Sequence, residues 1–357
     1  MKIAVFCPNW VGDMVMATPA MRAVRRRFPR AEIVAVVRPY VAEILDGLDL
    51  IDRRLLHDPK SAKQTKRPRA ANASGWRFAR RLRKERFDLA LLLPNSFRSA
   101  FWAWISGARR RVGFDRYGRG WMLTDPVTPR PPDVPHPVID EYLHLARYLG
   151  CQDLSRKTEL ATRKADEERL RSFWRRQSPG GHAEAGVVCL NPGGAFGSAK
   201  HWPVTSFAEL ALRLATELKK RVLVLCGPAE CDEAREIVRL AHHRAVVGLA
   251  DETPSIGLTK AAIRSAELLV TTDSGPRHFA PPFDVPVITL FGPTHAAWSE
   301  TFYERSLHLQ ADVECGPCQQ RVCPLTHHRC MRAVTTAWAF KAAVTLLEEY
   351  SARERAA

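Results

Sequence analysis

Short runs of β-branched and leucine residues alternate along this chain with longer stretches whose apolar positions recur every three to four residues. Residues 2–6 (Lys-Ile-Ala-Val-Phe) read as a strand, and residues 11–28 as a helix with Met14, Ala17, Met21 and Val24 on one face. Residues 33–37 and 88–93 are further strands, with a helix over 76–87 between them. That helix sets Phe78, Ala79 and Leu82 against Arg77, Arg80, Arg81 and Lys84, an apolar stripe backed by a basic one. Residues 60–74 mix Lys60, Lys63, Lys66, Arg67 and Arg69 with Pro68 and Asn72, run up to Gly75, and read as a basic loop.

The alternation restarts after a hinge-like stretch, residues 177–182 (Gln-Ser-Pro-Gly-Gly-His). Residues 187–190, 221–225, 268–272 and 285–290 read as strands, and 205–218 and 230–241 as helices. Strand–helix alternation predicts parallel sheets covered by helices on both faces. Two such runs around a Gly/Pro hinge predict an α/β protein of two doubly wound, Rossmann-like domains facing a cleft. Their expected limits are 1–176 and 183–332, with an Ala-rich closing helix over 333–350.

Composition narrows the class. The 357 residues, 46% hydrophobic and 26% charged, are ordinarily globular and enough for two cores. No stretch nears the roughly 18 apolar residues that span a bilayer. The apolar run before Pro8 is only Ile3 to Cys7, too short for a signal peptide. Nine cysteines, five of them scattered, fit reduced thiols, so a cytoplasmic location is expected. Charge is uneven: residues 1–150 hold 28 Lys and Arg against 14 Asp and Glu, net +14 of the chain's +16. That excess suits nucleic acid, an anionic membrane surface or an anionic substrate, or simply a solvated Arg-rich surface.

In a doubly wound sheet ligands bind beyond the carboxyl ends of the strands, so chemistry belongs in the loops there. Neither a G-x-G-x-x-G fingerprint nor a Walker loop follows the first strand, which argues against a dehydrogenase or a nucleoside triphosphatase. Instead the strand runs into Pro8-Asn9-Trp10-Val11-Gly12-Asp13. Asp13 falls in the first turn of the next helix, either as a carboxylate open to a ligand or as a simple helix cap. After the strand at 187–190, Gly193, Gly194 and Gly197 precede Lys200. Bare amides plus one point charge suit a diphosphate, and a flexible loop with a solvated lysine is the plainer alternative.

Residues 273–278 (Asp-Ser-Gly-Pro-Arg-His) read as a helix N-terminus whose free amides at Ser274 and Gly275 would hold phosphate, with Asp273 to orient them. His278 is expected to be structural. Glu230 is placed to bind two vicinal ribose hydroxyls, or merely to begin a helix. The loop 291–294 faces the same rim.

Taken together, residues 9–16 (Asn-Trp-Val-Gly-Asp-Met-Val-Met), 93–100 (Leu-Pro-Asn-Ser-Phe-Arg-Ser-Ala), 191–203 and 271–275 resemble glycosyltransferase family nine, the bacterial heptosyltransferases, over almost the whole chain. Trp-Val-Gly-Asp-Met and Pro-Asn-Ser-Phe are similar to the type II branch, the ADP-heptose:lipopolysaccharide heptosyltransferases. The resemblance implies a GT-B fold, with the acceptor on the first domain and the nucleotide sugar on the second. It implies that the closing helix packs back on the first domain. It implies inverting transfer of L-glycero-D-manno-heptose from ADP-heptose to a heptose of the lipopolysaccharide inner core. Asp13 would be the general base, and Gly194, Lys200, Glu230, Asp273, Ser274, Gly275 and His278 the donor side, with no catalytic metal. Asn9, Trp10, Asn95, Ser96, Arg80, Arg81 and Arg98 are the expected acceptor side, the arginines by charge and position. Lipid A with its 3-deoxy-octulosonate sugars is anionic, so the basic half is expected to meet the inner face of the cytoplasmic membrane.

Two features stand outside that chemistry. Cys315, Cys318, Cys323 and Cys330 could hold a structural zinc ion, pack as free thiols or, least in keeping with a cytosol, form disulfides. A nucleic-acid-binding protein with a zinc module is the reading from another class. It calls for aromatic residues interleaved with the basic run, and 60–69 has none. A family member using another nucleotide sugar also stays open, because these loops address the diphosphate rather than the sugar.

Overall fold

The computed structural model describes residues 1–58, 75–131, 134–177, 186–194 and 196–354. The basic loop at 60–74 and the glycines of the expected hinge lie outside the described residues. The chain divides into two compact units, Met1–Ala161 with Trp298–Thr301, and Thr162–Ala297 with Phe302–Ala357. The division falls earlier than the expected boundary near 176.

The first unit is one six-stranded sheet, every neighbouring pair parallel. Its strands are β1 (Lys2–Phe6), β2 (Glu32–Val37), β3 (Arg53–Leu56), β4 (Leu89–Leu92), β5 (Arg110–Phe114) and β6 (Asp125–Val127), ordered β3-β2-β1-β4-β5-β6. All of β4 and nearly all of β1 and β2 are buried, as strands covered on both faces must be. The covering helices are α1 (Val11–Met16), α2 (Thr18–Arg27), α3 (Trp76–Glu85), α4 (Phe97–Ile105) and α5 (Val138–Tyr148).

The single helix expected over 11–28 is in fact two, broken at Ala17. Pro19 has no N–H to give the Val15 carbonyl. Thr18 Oγ1 donates to that carbonyl instead, at 2.7 Å, and the chain restarts as α2.

The second unit repeats the plan. Strands β7 (Val187–Asn191), β8 (Arg221–Val224), β9 (Val246–Gly248), β10 (Leu268–Thr272), β11 (Val287–Phe291) and β12 (Ser306–Gln310) are ordered β12-β11-β10-β7-β8-β9, again all parallel. Helices α6 (Lys164–Gln177), α7 (Val204–Thr216), α8 (Cys231–Ala241), α9 (Ile256–Arg264) and α10 (Thr336–Glu354) complete it. Helix α6, expected in the first domain, packs on α9.

The closing helix α10 also belongs to the second unit, against expectation. It packs on α7, β10 and β11, and the second core takes its Ala339, Phe340, Ala343, Leu346 and Leu347. The buried Trp202 lies edge-on to Phe207 at 4.8 Å and ties its indole N–H to the Val334 carbonyl at 2.7 Å, just before α10 begins.

Counted within each unit, the two strand orders are the same, 3-2-1-4-5-6. In such a sheet the chain reverses its winding between the first and fourth strands, and the crevice beyond their carboxyl ends holds the ligand. Here those pairs are β1 with β4 and β7 with β10. The four motifs singled out in the sequence are the segments at or just beyond these four strand ends.

Candidate active site

At the end of β7, Asn191 Nδ2 donates to Thr271 Oγ1 at 3.0 Å and to Ser274 Oγ at 2.9 Å. Thr272 Oγ1 donates to the Gly193 carbonyl at 2.5 Å. The two loops of the switch point are thus tied together by buried side chains.

Lys200, itself buried, reaches across to Asp273, its Nζ 2.5 Å from Oδ2 and 3.1 Å from the Asp273 carbonyl. Thr294 donates to the same Oδ2 at 2.7 Å, and the Arg277 guanidinium lies 3.8 Å from Oδ1. Burial works against an ionised Asp273. The charges of Lys200 and Arg277, with hydrogen bonds from Lys200 and Thr294, outweigh it and hold the carboxyl at about 2. Two cations against one carboxylate leave this centre net positive and partly desolvated, a setting in which an anion is strongly attracted.

Ser274 and Gly275 stand where expected, but the segment is not an α-helix N-terminus. Gly275–Phe279 is a 3-10 turn, followed by another over Pro281–Phe283. Pro281 and Pro282 lack the N–H groups needed to extend it, so there is little aligned dipole and the side-chain cations must carry the charge.

Glu230 precedes α8 as its N-cap residue. Its carboxylate is so close that a Cβ on Gly227 would lie 2.6 Å from Oε2, and one on Gly193 would lie 3.3 Å from Cδ. Gly194 faces His201 and Lys200, and a Cβ there would meet both at an ordinary contact distance of 3.5 Å. Gly197 has no room at all, since its Cβ would meet the Arg321 carbonyl at 2.2 Å.

His278 is buried, and burial, then the Arg277 charge, push its imidazole down to about 3. Burial thus favours its neutral form. Its folded value lies below the ordinary 6.5, so its contribution to stability is full above about pH 6.5 and is lost as pH falls towards 3. Thermal melting from about neutral to about pH 4 should show a falling midpoint, and His278→Gln should flatten that slope.

The first unit's site gathers at the ends of β1, β2 and β4. A small open pocket lies there, lined by Asn9, Ser96 and Arg98 together with Arg38, His57 and Trp102. His57 stacks on Phe78 at 4.3 Å and is held down to about 4 by burial and by the Arg38 and Arg98 charges. Two guanidinium groups and no carboxylate among the described lining residues make the pocket fit for an anionic ligand.

The loop that forms its floor is clamped by Arg119. This buried guanidinium donates to the carbonyls of Phe114 (2.9 Å), Pro94 (2.6 Å) and Ser96 (3.2 Å), and to Asn95 Oδ1 at 3.2 Å. Asn95, an expected acceptor residue, is therefore an internal strut and is not among the residues that line the pocket.

Asp13 lies on α1 directly after this rim, half-exposed and in the third helical position. The N-cap position is Trp10, whose side chain makes no capping bond. Asp13's negative charge is felt by Tyr142 and Tyr40, whose phenols are raised by burial first and by Asp13 among the lesser causes. Trp10 is about half-exposed. Arg80 and Arg81 sit on α3 and do not line the pocket, against expectation. The helical period that buries Phe78 and Leu82 points Arg80 to solvent. Arg38 and Arg277 are the cations that the sequence reading left without a role.

The four cysteines at 315–330 are each half-buried. The Cys330 thiol is raised by burial and, less, by its neighbours Cys318, Cys315 and Cys323. Among the described residues, however, no three His, Cys, Asp or Glu side chains are arranged to hold a metal ion. The cysteine spacings of two, four and six residues differ from the two short couples of a typical structural zinc site.

Two Rossmann-type sheets, each with its ligand loops at the switch point, make up the GT-B architecture of glycosyltransferases. The same fold is seen in the structure of E. coli ADP-heptose lps heptosyltransferase II, with TM-score 0.78 and 23% identity, covering 98% of this chain and 100% of that one. The chain belongs to glycosyltransferase family 9 (heptosyltransferase), whose model matches residues 75–328. It is 28% identical to lipooligosaccharide heptosyltransferase 2 of Campylobacter jejuni, covering 93% of this chain and 95% of the relative. It is 29% identical to lipopolysaccharide heptosyltransferase 2 of Salmonella typhimurium, covering 82% and 83% respectively.

Proposed function

We propose that this glycosyltransferase moves L-glycero-D-manno-heptose from ADP-heptose onto a heptose of the lipopolysaccharide inner core, with inversion at the anomeric carbon. The observation that carries the reading is the buried Lys200–Asp273–Arg277 centre, a preformed anion site at the switch point of the second unit. Relatives over most of the chain are named as heptosyltransferases of lipopolysaccharide or lipooligosaccharide, which supports the sugar and the acceptor.

In the proposed reaction the acceptor hydroxyl oxygen attacks the anomeric carbon as the bond to the β-phosphate oxygen breaks. Asp13 accepts the hydroxyl proton, and ADP leaves with the bonding electron pair. The growing negative charge on the diphosphate is met by Lys200, by Arg277 behind it and by the amides of Ser274 and Gly275. Glu230 takes the ribose hydroxyls. Arg38 and Arg98 receive acidic groups of the acceptor. The reading places the protein at the cytoplasmic face of the inner membrane, and no helix among the described residues is long and apolar enough to cross a bilayer.

Incubation with radiolabelled ADP-heptose and lipopolysaccharide truncated after its first heptose should label the acceptor. Labelling from a different nucleotide sugar, with none from ADP-heptose, would replace the donor while leaving the diphosphate site intact.

A further inference from the structure

Helix α4 begins at the acceptor pocket, whose wall includes Ser96, Arg98 and Trp102, and then runs away from it. Its inner face is apolar, with Ala100 and Ala103 fully buried. Its outer face is apolar too. Phe97 is 51% exposed and Trp104 46%, with Phe101 between them on the same side at helical spacing. Trp121, 65% exposed on the turn after β5, lies 6.5 Å from the Phe97 ring and 5.9 Å from that of Trp104. Single exposed aromatics are ordinary, but three exposed rings clustered around a half-buried Phe101 mark an interaction site.

The helix beside it supplies the opposite chemistry. α3 packs against α4, with Phe78 edge-on to Trp102 at 5.1 Å. Its outer face carries Arg77, Arg80, Arg83 and Lys84, all exposed. An aromatic strip flanked by cations is the make-up of a surface that rests in the interface of an anionic bilayer, rings at headgroup depth and cations on the phosphates.

We infer that the α3–α4 face is the membrane-docking surface of this enzyme, with anionic phospholipid as its partner. The inference rests on the lipid-linked acceptor proposed above and names the surface that would bring the pocket to it. Charge argues against a second copy as the occupant, because a two-fold interface would set these cations against their own kind. Ring contacts within the cluster also turn aromatic faces and edges on one another, where a nucleic acid would need open ring faces to stack on.

Co-sedimentation with vesicles tests it. The full chain should bind phosphatidylethanolamine–phosphatidylglycerol vesicles and bind phosphatidylcholine vesicles far less. Trp104→Ser with Trp121→Ser should weaken the first by at least about tenfold. Arg77→Glu with Arg83→Glu should weaken it similarly, and more so at low salt. Both variants should melt like the wild type and keep its rate on a detached, water-soluble heptose oligosaccharide, so a failure of the heptosyl reading would appear there instead. Vesicle binding unchanged in the Trp pair would overturn the inference. So would a wild-type dimer that the Trp pair makes monomeric without any change in vesicle binding.

Discussion

Asp13→Asn should lower turnover by about 10²–10⁴-fold while leaving ADP-heptose affinity and melting temperature near their wild-type values. The substitution keeps the size and hydrogen-bonding outline of the side chain and removes its ability to take a proton. The geometry makes this a clean separation. Asp13 is half-exposed at the third position of α1, and Trp10 occupies the N-cap position. The charge of Asp13 at the positive end of a six-residue helix is worth about 0.3–1 kcal/mol to the fold. Such a loss would shift the melting temperature slightly and leave the rate alone. If Asp13 is the base, the wild-type rate also falls on acidification as a proton occupies the carboxylate, and the variant lacks that limb. Steady-state kinetics at saturating donor, beside calorimetric donor titration, read both. Wild-type turnover in Asp13→Asn would leave the site with no base.

The legible parts of this chain are those where burial writes its own signal. Strands β1, β4, β7, β10 and β11 read as continuous apolar runs because both faces are covered, and the ligand loops follow at their carboxyl ends. The short strands β3, β6 and β9 carry only three or four residues, with Arg53, Arg54 and Asp125 among them, so no run announces them. Two errors had a local cause in plain view. Pro19 breaks the helix over 11–28, and Pro281 with Pro282 keeps the segment after Asp273 from becoming α-helical. Periodicity outweighed Pro19. The role of Arg119 was out of reach, since it depends on carbonyls some 20 residues away that only the folded sheet brings to its guanidinium. The closing helix misled for a different reason. Its position was inferred from relatives, whereas its own Ala339, Phe340 and Leu346 fit the second core.

Lys200→Ala should weaken ADP binding by about 10- to 150-fold, the loss of one charge-assisted contact of about 1.5–3 kcal/mol. The lysine has a second duty, and the two can be told apart. Removing it takes from a buried Asp273 its nearest cation, and breaking a buried pair costs about 3–5 kcal/mol when nothing replaces it. Here Arg277 and the Thr294 hydroxyl stay beside the carboxylate, so the stability loss should fall at or below the lower end of that range. The pH dependence fixes its origin. In the wild type the carboxyl is held at about 2, below its ordinary 3.8, so its contribution is present above about pH 4 and is lost as pH falls towards 2. Without Lys200 burial is opposed by less charge, the carboxyl rises, and the part of the stability that is lost on acidification shrinks. A lysine that only steadies Asp273 would therefore show the melting and acid effects, with ADP affinity unchanged well below the melting point. A lysine that also meets the diphosphate loses affinity for ADP and ADP-heptose at every such temperature, while weak binding of adenosine stays as it was. Lys200→Arg should restore part of that affinity by returning the charge, but not its geometry, because the guanidinium is wider than the ammonium that fits between Asp273 and the Phe196 ring 4.6 Å away.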